Sequence, residues 1–250
     1  MENREFFINK DGFKLHAKME FPKCDAEKLP MVILVHGLTG HMEEPHIIGI
    51  SDTIIEAGYI SLRVELYGHG QSDGVFENHN LLEWVSELCY VIDYARNLSF
   101  VSDIILSGHS QGGLATVLTA GLKANQLKAI MPLSPALCIR DHCREGDFFG
   151  SKFDSKAIPD RLQFWEDKFV KGNYVRIGQC LPIEQAIEVY KGPVLIVQGT
   201  NDGAVPFEDS MKAASQYENA KIELIEGDGH CYEFGLEQVK KVIKDFLISI

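Results

Sequence analysis

The chain has 250 residues, enough to bury one large core as a single domain. Its 24 Lys and Arg residues against 36 Asp and Glu residues leave a net charge of −12, which argues against nucleic acid or an anionic membrane as a partner. No apolar run reaches the length of a membrane span, and the N-terminal segment lacks the pattern of a signal peptide. We therefore expect a cytoplasmic protein whose six cysteines are reduced thiols.

The predicted elements begin with a hairpin and continue as strands alternating with helices. Alternating segments at about 5–8 and 15–20 flank the turn Asp11-Gly12. Further strands are expected at about 32–35, 60–65, 104–106 and 127–133, with helices at about 43–57, at about 81–98 and directly after Ser110. This alternation predicts an α/β fold with a mostly parallel sheet of the eight-stranded type, flanked by helices on both faces.

The segment around Ser110 is the most informative in the chain. The apolar residues 104–106 lead into Gly108-His109-Ser110-Gln111-Gly112 and then into a helical stretch. Strand, glycine-flanked serine and helix in this order form a nucleophile elbow, where the glycines avoid clashes at a sharp, strained turn. The Ser110 Oγ then stands at a helix N-terminus, whose dipole favours a developing negative charge. We predict that Ser110 is a catalytic nucleophile.

The alternation of strands and helices stops between about residues 137 and 190, where no clear strand is predicted. Long connections in compact domains are usually lids or extra subdomains. We expect residues 137–190 to form an inserted cap over a core made of residues 1–136 and 191–250. The aromatic residues of this segment either line a substrate pocket or form the cap's own small core: Phe148, Phe149, Phe164 and Trp165.

Two later loops supply the base and acid that a serine nucleophile needs. Asp202 follows the apolar strand 193–199, and His230 follows the short strand 221–225. Both loops lie at the carboxyl ends of strands, where catalytic groups gather in open α/β sheets, and in the chain order serine, acid, histidine. We therefore predict a catalytic triad of Ser110, Asp202 and His230. Asp228 competes as the acid, but lies only two residues before His230 and is expected to shape that loop.

The oxyanion hole is expected to use the backbone amides of Leu38 and Gln111. Gln111 follows the nucleophile, and Leu38 follows an apolar strand in His36-Gly37-Leu38-Thr39-Gly40. His36 and His109 are interpreted as orienting neighbours of the site. No cofactor and no metal is predicted, because Cys138, His142 and Cys143 lack the second ligand pair of a zinc site.

Further segments carry a resemblance to a known family. These are Tyr67-Gly68-His69-Gly70-Gln71-Ser72-Asp73-Gly74, Phe76-Glu77, Ser134-Pro135-Ala136, Ile158-Pro159-Asp160, Gly172-Asn173-Tyr174-Val175-Arg176 and Gly229-His230-Cys231. With them the whole chain resembles an α/β-hydrolase serine esterase, and more narrowly the bacterial feruloyl or cinnamoyl esterases. The resemblance implies the same triad and oxyanion amides, and it matches Trp165 and Tyr174 to contacts with a phenolic ring. Leu38 replaces the family's usual phenylalanine, and Glu65 its usual aspartate.

The expected function is therefore hydrolysis of small carboxylic esters through an acyl-enzyme, with ferulic or related hydroxycinnamic acids as the products. A general carboxylesterase or monoacylglycerol lipase acting on aliphatic esters is the main alternative, since Leu38 makes the acyl pocket wall less aromatic. A peptidase or a non-catalytic ligand-binding protein on the same fold are further alternatives. The expected partner is a small-molecule ester, with no nucleic acid or membrane, and a homodimer is left open.

Overall fold

A computed structural model describes residues 2–165 and 167–250. The strands are β1 (Arg4–Lys10), β2 (Phe13–Glu20), β3 (Leu29–Val35), β4 (Ile60–Val64), β5 (Val101–His109), β6 (Ala129–Leu133), β7 (Asp147–Phe148), β8 (Ser151–Lys152), β9 (Arg161–Phe164), β10 (Lys168–Lys171), β11 (Val194–Gly199) and β12 (Ala220–Ile225). The helices are α1 (Pro45–Glu56), α2 (Leu81–Arg96), α3 (Gln111–Leu122), α4 (Ile139–Glu145), α5 (Gly172–Gly178), α6 (Ile183–Val189), α7 (Phe207–Gln216) and α8 (Leu236–Ser249).

The central sheet has eight strands in the order β1-β2-β4-β3-β5-β6-β11-β12. The β1–β2 hairpin and the β2–β4 pair are antiparallel, whereas every other pair in this sheet is parallel. The predicted hairpin turns at Asp11 and Gly12, whose φ angles of 49° and 90° are both positive. The predicted α/β class and the mostly parallel eight-stranded sheet are thus confirmed.

Both faces of β3, β4, β6 and β11 are buried, which explains their nearly continuous apolar sequences. Because side chains alternate between faces, Ile33 of β3 shares a core with Trp84 of α2, whereas Val32 and Leu34 share another with Ile50 of α1. Helices α2 and α3 cover the first face, and α1 and α8 cover the second. This packing holds the loops at the carboxyl ends of the strands in fixed positions.

The segment between β6 and β11 contains more regular structure than its sequence predicts. It holds α4, the hairpins β7–β8 and β9–β10, and the helices α5 and α6. The prediction found no strand here because strands of two or four residues are too short to show a periodic pattern. Helix α6 packs against α3 and so extends the helical layer of the core.

The aromatic residues of this segment divide between its interior and its surface. Phe148 and Phe164 are fully buried and lie edge-to-face at 5.2 Å between ring centroids, and both belong to the core that also contains Trp84 of α2. Trp165, by contrast, is 48% exposed and packs on Phe149 and Phe164.

No helix in the described part of the chain is both long and apolar enough to cross a membrane.

Candidate active site

Ser110 occupies a strained turn between β5 and α3. Its φ and ψ of 55° and −118° are unusual for a residue with a side chain, and its relative exposure is 8%. A Cβ at position 108 would lie 2.3 Å from the carbonyl oxygen of Gly112, and one at position 112 would lie 2.4 Å from that of His36. Only glycine fits at these two positions, which is the packing that the elbow motif predicts.

Asp202 and His230 meet at the ends of β11 and β12. The Nδ1 of His230 donates to Oδ2 of Asp202 at 2.7 Å, and Gln198 donates to the same oxygen at 2.8 Å. The other oxygen, Oδ1, accepts from the amides of Ala204 and Val205 at 2.8 and 2.9 Å. All these donors hold the carboxylate in one orientation, and the Asp202 side chain has no exposed surface.

The charge state of Asp202 follows from these contacts. Burial alone would raise the pKa of Asp202, but the hydrogen bond and charge of His230 and the amides of Val205 and Ala204 outweigh it. The net pKa therefore lies below its ordinary value, and the group is ionised at neutral pH. An ionised Asp202 fixes the proton of His230 on Nδ1, which leaves Nε2 with the lone pair that a general base needs.

Ser110, the third residue of the predicted triad, is linked to His230 through its neighbour His109. The Nε2 of His109 donates to the carbonyl of His230 at 2.8 Å, and the two rings lie 4.7 Å apart. His109 directly precedes Ser110, so this bond joins the elbow to the histidine loop. The hydroxyl of Ser110 makes no hydrogen bond to another described residue, and the contact formed directly within the predicted triad is that of Asp202 with His230.

The two predicted oxyanion amides lie in the elbow itself, at Gln111, and in the loop that packs against it, at Leu38. A Cβ at Gly37 would lie 3.0 Å from the Cβ of Ser110, so the loop that carries Leu38 runs directly against the serine. Within residues 2–165 and 167–250, neither the amide of Leu38 nor that of Gln111 donates to a protein acceptor. Both donors are therefore free for an anionic oxygen.

His36 supports this loop as a neutral side chain. Its Nδ1 donates to the carbonyl of Gly37 at 2.7 Å, and its Nε2 accepts from the amide of Leu66 at 3.2 Å. Burial lowers the pKa of His36 to about 4, because the charged form would lose its hydration. A neutral ring can use one nitrogen as donor and the other as acceptor, as this position requires.

Asp228 shapes the histidine loop, as its sequence position predicted. Its Oδ1 accepts from the amides of Gly229 and Phe234, and its Oδ2 accepts from the amide of Gly235 at 2.8 Å. Its carboxylate is thus fully used by backbone donors. The carboxylate that accepts from His230 is that of Asp202 instead.

Two contacts at the site have no counterpart in the sequence prediction. Gln198, the fifth residue of β11, donates to Asp202 while its own Oε1 accepts from Ser210 at 2.9 Å. A glutamine in an otherwise apolar buried strand was the available signal for this role. Tyr174 of α5 donates to Oε1 of Gln111 at 2.6 Å.

The predicted ring contacts, Trp165 and Tyr174, lie in different environments. Trp165 has a positive φ of 48° and much exposed surface. Tyr174 is fully buried, and its hydroxyl is already engaged with Gln111. As a consequence, a ligand that needs the hydroxyl proton of Tyr174 would have to replace that internal bond.

Two cysteines of the segment between β6 and β11, Cys138 and Cys143, are buried and protonated. Burial raises the pKa of both Cys138 and Cys143 to about 12. Among the described residues, these two thiols and His142 do not form a group with metal-ligand spacing.

Two family models match the chain. One, described as serine aminopeptidase, S33, covers residues 26–173, and the other, described as TAP-like protein, covers residues 173–249. A structure of Est1E from Butyrivibrio proteoclasticus with ferulic acid bound is 45% identical, covers 98% of both chains and has a TM-score of 0.96. A second structure of Est1E is 42% identical, with 98% of both chains covered and a TM-score of 0.92.

More distant relatives agree with this fold. A putative esterase/lipase from Haemophilus influenzae is 25% identical over an alignment of 229 residues that covers 80% of this chain and 77% of the relative. The mouse protein alpha/beta hydrolase domain-containing protein 10 is only 16% identical but superposes with a TM-score of 0.79 over 98% of each chain.

Proposed function

This chain belongs to the α/β-hydrolase family of serine ester hydrolases, and we propose that it hydrolyses esters of hydroxycinnamic acids through Ser110, His230 and Asp202. The observation that carries this assignment of residues is the 2.7 Å bond between Asp202 and His230, in a loop tied to the strained turn at Ser110. An oriented histidine beside a serine on a strained strand-to-helix turn is the arrangement that acyl transfer requires.

In the proposed reaction, His230 takes the proton of Ser110 as Oγ attacks the ester carbonyl. Asp202 stabilises the imidazolium that forms. The amides of Leu38 and Gln111 bind the tetrahedral oxyanion, and the alcohol leaves with the proton of His230. Water then attacks the acyl-enzyme with His230 again acting as the base, which releases the acid and restores Ser110.

Two grounds favour an aromatic acyl group: the aromatic side chains of residues 137–190 and the ligand bound in a similar structure. Trp165 presents half of its surface to solvent beside Phe149, and a flat aromatic ring packs well against such side chains. The structure of Est1E that is 45% identical holds ferulic acid. We assign residues 137–190 as the cap and Trp165 as the contact with the phenolic ring. A homodimer and a cytoplasmic location are kept as expectations.

A second candidate, an esterase of aliphatic acyl groups, is favoured by one observation. Leu38, whose side chain is buried next to the elbow, offers an aliphatic wall at this position. Such a wall accepts an alkyl chain as well as an aromatic ring. The two candidates share one mechanism and differ only in the acyl group.

The deciding experiment compares kcat/KM for methyl ferulate with that for a medium-chain glyceryl monoester, with Ser110→Ala as the blank. A higher value for methyl ferulate supports the hydroxycinnamoyl assignment. Trp165→Ala then lowers kcat/KM for methyl ferulate more than for the alkyl ester. Tyr90→Ala, which removes a partly exposed ring from α2, is the matched control. A higher value for the glyceryl ester overturns the aromatic preference and leaves the mechanism in place.

A further inference from the structure

A cluster of side chains that could bind a metal lies directly next to the predicted catalytic residues. The ligand atoms of His46, His109 and Cys231 all lie within 4.8 Å of one another. His46 is near the start of α1, His109 ends β5, and Cys231 directly follows His230. Both histidines are buried, and Cys231 is partly exposed, which gives an ion access from the outside. In the mechanism proposed above, neither His46 nor Cys231 has a role.

The hydrogen bonds of this cluster define which nitrogens could bind an ion. His109 Nε2 donates to the carbonyl of His230, so Nδ1 of His109 carries the lone pair. That lone pair points to Nε2 of His46, 3.2 Å away. Two imidazole nitrogens bound to one tetrahedral Zn²⁺ at about 2.0–2.1 Å lie about 3.3 Å apart. The observed separation is close to that value, so the two nitrogens can bind one ion with little change in their distance once the rings turn so that both lone pairs converge on it.

We propose that His46, His109 and Cys231 bind a borderline-soft divalent cation such as Zn²⁺, with water as a fourth ligand, and that the bound ion inhibits the esterase. Thiolate and imidazole are the donors that such ions prefer. On binding, the ion exchanges three of its waters for Nε2 of His46, Nδ1 of His109 and Sγ of Cys231. The thiol proton passes to solvent, and the proton of His46 moves from Nε2 to Nδ1.

Inhibition follows from the position of the ion and rests on the proposed function. Cys231 is adjacent to His230 in the chain, and His109 holds the carbonyl of His230. Drawing the thiolate toward the two histidines would move the backbone at His230. This movement acts on the base and leaves the oxyanion amides in place.

Binding is tested without any substrate. Protein stripped with EDTA is titrated with Zn²⁺ by calorimetry and with Co²⁺ by absorption. We expect one ion per chain and a thiolate-to-cobalt charge-transfer band in the near ultraviolet. His46→Gln and Cys231→Ala should each weaken the affinity by at least about tenfold, whereas the controls His41→Gln and Cys180→Ala, both at exposed positions, should not.

Three results would overturn the site: no saturable binding, no thiolate band, or a His46→Gln affinity within twofold of the wild type. Circular dichroism checks that each variant folds. If Cys231→Ala does not fold, the cobalt band of the wild type and the affinity of His46→Gln decide whether the metal site exists. Binding through His230 alone would leave both variants at wild-type affinity and so counts against the proposal.

Inhibition is measured separately, with p-nitrophenyl acetate and each variant normalised to its own metal-free rate. The Zn²⁺ concentration for half inhibition should rise in His46→Gln in parallel with its dissociation constant, and EDTA should restore the rate. An unchanged rate at saturating Zn²⁺ refutes the inhibitory role. Because the binding titrations need no turnover, a failure of the esterase assignment and a failure of the metal site give different results.

Discussion

The bond between Tyr174 and Gln111 gives a prediction that separates two roles for the tyrosine. Tyr174→Phe keeps the ring and removes the hydroxyl that donates to Gln111 at 2.6 Å. The side chain of Gln111 is fully buried, so the variant leaves its Oε1 without this donor. An unsatisfied buried polar group lowers the free energy of unfolding by about 1–3 kcal/mol. For a chain of this size, a loss of about 1 kcal/mol lowers Tm by about 2–4 °C. We therefore expect a decrease in Tm of about 2–12 °C.

The same variant should leave ligand recognition largely intact. If the hydroxyl serves Gln111, KM for methyl ferulate should change by less than about twofold, because the ring stays in place. Differential scanning calorimetry and steady-state kinetics measure the two quantities on the same preparation, with Tyr90→Phe on the surface of α2 as the control. An unchanged Tm together with a large increase in KM would refute this reasoning, and would show that the hydroxyl binds the ligand, as the family resemblance implies.

Three further predictions concern the triad and a buried carboxyl. Ser110→Ala should lower kcat by about a millionfold, and a variant that keeps a tenth of the activity would exclude Ser110 as the nucleophile. Asp202→Asn should lower kcat by about 10⁴-fold because the amide no longer holds His230 in the required tautomer, and a loss under tenfold in the same kinetics would contradict that role. Burial raises the pKa of Glu87 to about 8, so from its unfolded pKa up to pH 8 the folded state holds a proton that the unfolded state has released. Stability should therefore fall by up to about 1.4 kcal/mol per pH unit across this range, and Glu87→Gln should flatten the slope in urea denaturation; equal slopes for variant and wild type would refute this.

Short-range patterns in the chain were enough for much of the fold. The hairpin around Asp11 and Gly12, the parallel strands and the strained turn at Ser110 each follow from residues close together in the sequence. The hairpins β7–β8 and β9–β10 were missed because each strand is too short for a periodic signal. The place of α6 in the helical layer of the core depends on its contact with α3, which no local pattern encodes.

The sequence by itself determined which residue types stand at the ends of which strands, and hence the candidates Ser110, Asp202 and His230. Only the tertiary structure decided which side chains meet. Asp202 contacts His230 across 28 residues, Tyr174 contacts Gln111 across 63, and His46 contacts His109 across 63. Strand and turn formation depend on neighbours in the chain, whereas partners of buried polar groups depend on how separate elements pack. For that reason the elbow could be predicted from the sequence, whereas the hydrogen bond from the buried Tyr174 to Gln111 could not.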